Sequence, residues 1–425
     1  MSTSASALHP SSATIVTERA PETDEDKDAL WSSTLACRVS DPQKELEGTQ
    51  NAYITYLVTT VSDFPQFQAP EFRVRRRFSD FVYLYNVIAR DYPACAVPPL
   101  PDKQRMEYIT GDRFGGEFTS RRANSLGRFL ERISNHPILR TAAVLAVFLE
   151  SYEWNAYMRA HPVKAATVGE SSGVFDGFSD ALVNAFAKIP KGKDDFVPAK
   201  ERADKLADDV THTEKVMSRL AKHELEWEQD TREFASQFAK LSPLEPDMQQ
   251  AFKAFAGKLD ASAEAIHALR ENLDLNYVVS LRDMENYDGA LKQLLKQREQ
   301  KQLDYEGLLD YLNKATVERN VLASGGGNGF LRSKVEDLRG VDHHVARIER
   351  LRKLDTRLEE LTKEAEEAHE ISLSFDKEVT RDLRDFERIK SFEMKDTMGS
   401  MADAHIEFFR TILEEWEKAI PELEG

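Results

Sequence analysis

Two periodicities divide the chain. Residues 31–39, 52–61 and 71–77 carry β-branched and aromatic residues in short runs, most densely in AYITYLVTTV (52–61), and predict three strands. From residue 78 the apolar positions recur at helical spacing. FSDFVYLYNVIARDY (78–92), then 117–134, then 138–152 after His136-Pro137, predict three helices. Three strands followed by helices predict a small α+β domain. Beyond residue 198 the helical period dominates. One helix is expected over 199–240, with Leu206, Val210, Met217, Leu220, Trp227, Phe234 and Phe238 on a broad face; a second over 247–322; a third over 331–420. In the third, Val335, Leu338, Val345, Ile348, Leu351, Leu354, Leu358, Leu361, Ala365 and Ala368 step by three, four and seven, the spacing of a coiled coil.

Proline sharpens the division. All but the last of the 16 prolines lie at or before Pro246. An interior proline costs a helix about 3 kcal/mol, so the stretch 247–420 reads as long unbroken helices. At 1.5 Å per residue the last two could each run roughly 110–130 Å. SGGGNG (324–329) lies between them, in a hairpin tip near 323–330. A hairpin that long is expected to offer its apolar stripe to another chain, as an elongated dimer. Residues 1–29, rich in Ser and Thr with six acidic residues against two basic, predict a disordered tail.

Composition narrows the chemistry. A chain of 425 residues exceeds one ordinary core. Its net charge of -17 gives it no bulk attraction to nucleic acid or anionic lipid, so an anionic partner must meet a local basic site. The two cysteines, Cys37 and Cys95, form neither a disulfide framework nor a cysteine-built zinc site, and a reducing compartment is expected. No apolar run approaches the ~20 residues of a membrane span, and the first residues lack a signal-peptide pattern, so a soluble intracellular protein is expected. G-x-S-x-G, G-x-x-x-x-G-K-[ST] and H-E-x-x-H are not found, and His343-His344 are adjacent rather than an i, i+4 metal pair. No catalytic residue, cofactor or metal is expected.

Residues 71–132 hold twelve basic against eight acidic residues, a positive island. Within it, Arg73-Val74-Arg75-Arg76-Arg77-Phe78-Ser79-Asp80-Phe81 offers planar guanidinium forks for phosphate beside an aromatic ring; it also fits an exposed strand end leading into a helix. Val97-Pro98-Pro99-Leu100-Pro101-Asp102-Lys103 is a stiff loop ending in a point charge, or a linker, or a ligand for a proline-binding module. Arg121-Arg122 heads a helix that continues Leu126, Phe129, Leu130, where a solvated helix end is the plain reading. Further on, residues 172–190 place Phe175, Phe178, Leu182 and Phe186 on one half of a helix and Asp176 and Asp180 on the other. Such a helix either packs against a domain or lies in a membrane interface.

Taken in order, these motifs resemble a phox-homology (PX) domain, a phosphoinositide-binding module, over about residues 30–160. The resemblance implies that Arg77 holds a 3-phosphate, Phe78 stacks on the inositol ring, Lys103 meets the 1-phosphate and Arg122 binds the ring hydroxyls. Phosphatidylinositol 3-phosphate is the lipid so implied. Many relatives have Tyr where this chain has Phe78; stacking survives the change. The order of a PX domain, a linker (161–197) with an amphipathic helix and three long helices (198–425) is similar to the sorting nexins that carry a Bin–amphiphysin–Rvs (BAR) domain. The implied fold is a small α+β PX domain, with a three-stranded sheet plus helices, followed by an elongated all-α three-helix BAR domain that dimerises.

The implied function is a peripheral membrane protein on the cytosolic face of endosomes, and at the pre-autophagosomal structure. It senses or drives membrane tubules, with Phe175, Phe178, Leu182 and Phe186 inserting, in endosome-to-Golgi retrieval and autophagy. Implied partners are a second sorting nexin in a heterodimer, and cargo or autophagy proteins, with no nucleic acid. The alternative is a tethering scaffold addressed by its PX domain that leaves membranes unshaped. Basic clusters at Lys292, Lys296, Arg298 and Lys301, and from Arg332 to Lys353, fit either lipid contact or solvated helix faces.

Overall fold

The computed structural model describes residues 34–49, 52–64, 66–101, 115–163, 196–324 and 343–424. Strands β1 (Leu35–Glu45), β2 (Tyr53–Ser62) and β3 (Glu71–Arg77) form an antiparallel sheet in that order. β1 runs past the expected end at residue 39. It passes Pro42 through a register shift between Ser40 and Gln43, with Asp41 at φ 47. Arg75 braces that corner, donating to Asp41 Oδ2 (2.9 Å) and to the Asp41 carbonyl (2.7 Å). An edge strand with a bulge tolerates a proline that would end an inner one.

Helices α1 (Phe78–Asp91), α2 (Gly116–Ser134), α3 (Ala143–Glu150) and α4 (Trp154–Ala160) complete the domain. Tyr56, Val58, Val74, Phe81, Leu84, Leu126, Phe129 and Phe148 are buried at its centre, each burial contributing about 1.5–3 kcal/mol. The expected single helix over 138–152 is divided. A 3₁₀ turn (Leu139–Thr141) ends at Ala142, whose extended backbone (φ -61, ψ 124) starts α3 afresh. α4 was not anticipated.

The rest of the described chain is helical: α5 (Val197–Leu241), a 3₁₀ turn (Pro246–Met248), α6 (Gln249–Asn272), a π segment (Leu273–Val278), α7 (Val279–Ala323) and α8 (His343–Glu424). The helix expected over 247–322 is therefore α6 and α7 joined through the π segment, while residues 325–342, including Val335 and Leu338, lie outside the described residues. α8 packs along α7 and α6, and α5 packs on α6 and α7. The coiled-coil stripe on α8 is shared between this chain's own packing and its surface. Leu361 and Ala365 are buried within this chain, and Leu351, Leu354 and Leu358 are half-buried. The apolar side chains left exposed include Val345 and Ile348 of that stripe, Trp227 and Phe234 of α5, and Phe392, Ile406, Phe409 and Leu413 of α8.

One face of α2 joins the small domain to the rod. Arg121 pairs with Asp274, and Asn124 donates to the Asn276 side chain (3.2 Å) and the Leu275 carbonyl (3.4 Å), all three in the π segment. Arg128 pairs with Asp283 (2.7 Å). Arg132, fully buried, donates two bonds to Glu393 (both 2.7 Å) and one to the Asp283 carbonyl (2.8 Å), and lies over the Tyr287 ring. Below α2, His136 Nδ1 accepts the N–H groups of Ile138 and Leu139 (3.2 Å each), so its proton sits on Nε2 and is donated to Asp382 (2.8 Å). Asp382 also accepts the Ala96 N–H (2.8 Å), and Cys95 lies close enough to make a possible three-ligand metal group with the pair. A cation on Nε2 would require the proton to move to Nδ1, where two N–H groups already point. The geometry is that of a hydrogen-bonded junction.

Removing one member of a buried ion pair costs about 3–5 kcal/mol because the other charge is stranded. Arg132→Ala is expected to loosen the docked domains, so that calorimetry resolves an earlier transition for the small domain. An unshifted trace would show that the Glu393 pair contributes nothing to docking.

Candidate functional site

The site is built at the corner where β3 becomes α1. Alternation along β3 sends Val74 and Arg76 into the core and Arg73, Arg75 and Arg77 to the other face. Arg76 is therefore not a ligand-facing arginine. It donates to the Phe148 carbonyl (2.9 and 2.7 Å) and to the Ser151 carbonyl, capping the end of α3. Burial pulls its pKa down to about 10, which still leaves it charged at neutral pH. Arg73 pairs with Glu71 and Arg75 with Asp41.

Arg77 is the N-cap of α1, extended at φ -94, ψ 162. Its N–H donates to Asp80 Oδ2 (2.9 Å), which satisfies one of the donors a helix start leaves open. The Arg77 side chain, 45% exposed, reaches Asp80 only at 3.4 Å and lies 5.7 Å above the Tyr53 ring. Tyr53 stands on β2 two residues from Thr55, the cross-strand neighbour of Arg77. A cleft of about 550 Å³ opens beside Arg77, lined also by Tyr53, Thr55, Arg75, Asp80, Asn155, Met158 and Arg159.

Phe78 and Arg122 come together. The Arg122 guanidinium lies 4.7 Å from the centre of the Phe78 ring and 4.4 Å from that of Phe118, one turn earlier in α2. Both distances fall within cation–π range. Arg122 also approaches the buried Tyr56, whose hydroxyl burial pushes up in pKa while the guanidinium draws it down. Phe78 and Arg122 do not line the cleft beside Arg77. Lys103 lies outside the described residues, as do Phe175, Phe178, Leu182 and Phe186. The loop that leads to Lys103 is anchored, with Val97 buried and Leu100 against the core. Arg121 and Arg122, adjacent in sequence, part company: a helix turns about 100° between them, sending one to the rod and the other to the site.

With this geometry in place, comparison with known proteins is direct. A family model described as PX domain matches residues 64–152. Sorting nexin-4 of Emericella nidulans is 49% identical over 97% of this chain and 88% of that protein. Sorting nexin-4 of Gibberella zeae is 52% identical over 95% of this chain and 90% of its own length. This chain belongs to the sorting nexin-4 family. The cryo-EM structure of the SNX-BAR Mvp1 tetramer shares the fold, with a TM-score of 0.50 at 18% identity, over 90% of this chain and 99% of that one. The protein is thus a membrane-associated sorting nexin with a PX domain and a BAR-like rod. Among its described residues no helix is long and apolar enough to cross a membrane.

Sequence reasoning missed Phe118 and Tyr53. Phe118 stands four residues before Arg122, one helical turn, which was a usable signal. Tyr53 had none, because its link to Arg77 depends on strand register. Arg122→Ala is expected to move the Tyr56 hydroxyl further up in pKa, because the opposing positive charge is lost. The ultraviolet titration difference between Arg122→Ala and its Tyr56→Phe double variant, set against the same difference in the parent chain, checks this. Equal differences would mean that Arg122 does not reach Tyr56.

Proposed function

We propose that this sorting nexin binds phosphatidylinositol 3-phosphate on the cytosolic face of endosomes and shapes or senses the tubules that bud there. The observation that carries the reading is the Arg122–Phe78 stack beside the N-cap Arg77, an aromatic ring and two guanidinium groups at one corner. A sugar ring carrying phosphate suits such a corner: Arg77 takes the phosphate, Phe78 covers the ring, Arg122 donates to hydroxyls and Lys103 reaches the phosphate on the membrane side. The role is binding rather than catalysis. The exposed belt of Trp227, Phe234, Phe392 and Phe409 is the face for a second rod, another sorting nexin in a heterodimer. Residues 172–190 supply the inserting apolar face on the strength of their sequence pattern. Each contact is weak alone; two pockets on one rod pair multiply them through effective concentration. Retrieval from endosome to Golgi and autophagy are the processes such a protein serves, through cargo or autophagy proteins.

Arg77→Ala is expected to abolish sedimentation with vesicles containing phosphatidylinositol 3-phosphate, since a hydrogen bond to a charged group contributes about 1.5–3 kcal/mol. The fold should persist, because the cap from Asp80 to the Arg77 backbone N–H (2.9 Å) survives the change. Wild-type binding by this variant would sink the lipid reading. Phe392→Glu with Phe409→Glu should shift light scattering of the assembled protein toward single chains, whereas Leu361→Glu should damage the fold itself. A tethering scaffold would bind the same vesicles and leave them round in electron micrographs.

A further inference from the structure

The cleft beside Arg77 has a wall that the lipid reading does not use. α4 supplies it through Asn155, Met158 and Arg159. The match to the PX family model stops at residue 152, before any of these three.

α4 is only seven residues long and buries a single side chain, Trp154, yet it is held firmly. Trp154 stacks on Tyr157 (5.5 Å between centres) and meets Tyr83 and Phe148 edge-on at 5.4 and 5.1 Å. Just before the helix, Arg76 grips the Phe148 and Ser151 carbonyls. Just after it, the Tyr83 hydroxyl donates to the His161 carbonyl (2.6 Å). Arg76 neighbours Arg77 on β3, and Tyr83 belongs to α1, which Arg77 caps. Both ends of α4 are thus fastened to the two elements that meet at Arg77.

Among the described residues the only hydrogen bond of the Arg159 side chain runs from Nε to the Asn155 carbonyl (3.1 Å). That bond folds the chain back along α4 and leaves four of the five guanidinium N–H donors for a ligand. The cleft holds Arg75, Arg77 and Arg159 against Asp80 on its wall and Asp41 behind Arg75. Arg75 is spent on Asp41, and Arg77 touches Asp80 only at 3.4 Å. The balance favours an anion, and two guanidinium groups on one cleft favour an oxygen-rich one such as phosphate.

We propose that Arg159, which lines the same cleft as Arg77, is a second phosphate-binding arginine of this site and takes the same phosphomonoester of the lipid headgroup. The assignment rests on the lipid reading above. It gives α4, outside the matched PX region, a direct part in ligand binding.

The test is cosedimentation of the full chain with phosphatidylcholine vesicles, with and without phosphatidylinositol 3-phosphate. Arg159→Ala should raise the lipid concentration for half-binding about tenfold, the loss of one charge-assisted contact. Arg159→Lys should recover part of that loss, because the charge stays and the fork goes. Arg38→Ala, which removes the same charge from exposed β1, should match wild type. Equal losses in Arg38→Ala and Arg159→Ala would reduce the effect to bulk charge and overturn the proposal. Arg159→Ala binding like wild type while Arg77→Ala fails would overturn it and leave the lipid reading standing; wild-type binding by both would sink the two together. Inorganic phosphate, titrated calorimetrically without vesicles, should bind far more weakly than the vesicles do. Equally tight binding would make the cleft a site for free phosphate and overturn the lipid assignment.

Discussion

Arg132 sits wholly inside the boundary between the PX domain and the rod, and its two bonds to Glu393 fix how one meets the other. A guanidinium held there without a carboxylate would be among the costliest groups in the protein. With the carboxylate, it becomes a directional bolt, and Arg121, Asn124 and Arg128 on the same face of α2 follow its lead. Arg122 then has no choice of direction. One residue round the helix from Arg121, it must point to the corner where Phe78 waits. The orientation of the candidate lipid site relative to the long axis of the rod is thus written into a single helix.

The corner itself shows how local rules serve a remote purpose. Asp80 satisfies the Arg77 N–H and so starts α1 at that residue. The same start lifts the Phe78 ring out of the strand's alternation and toward α2. Val74 and Arg76 take the inward positions, which leaves Arg77 outward. The neighbouring arginine does quite different work: Arg76 is satisfied by the carbonyls that end α3. Of the four arginines in five positions, Arg75 is a brace, Arg76 a cap and Arg77 the ligand-site residue, while Arg73 pairs with Glu71 on the surface.

Much of this was legible in the chain. β2, β3, α1 and α2 follow from their periods, and Arg77, Phe78 and Arg122 from the motif they share with PX domains. The burial of Arg76 could have been read too, since a period of two places it beside Val74. Other features depend on contacts that no spacing encodes. α4 is too short for a periodic signal and is held by rings from α1 and α3. The destination of Arg121 is an aspartate some 150 residues away. The leucine spacing on α8 was read as a seam for another chain, and the fold divides it: Leu361 and Ala365 pack within this chain while Val345 and Ile348 stay exposed. A stripe of that spacing fits a helix of the same chain as well as one from another. Only the packing of α7 against α8 shows which half of the stripe remains open.

The π segment at Leu273–Val278 amounts to an extra residue lodged in an otherwise regular helix, and it turns everything downstream by roughly 100° relative to an uninterrupted one. The segment is also where α2 lands, and the Leu275 carbonyl finds its acceptor role there with Asn124. Loss of one residue from this segment would heal the helix and, in doing so, misphase its two halves. α6 would keep its contact with α5, while the faces of α7 would swing away from α8. The irregular turn acts as a phase marker along the rod, tying the place where the small domain sits to the angular position of every side chain beyond it.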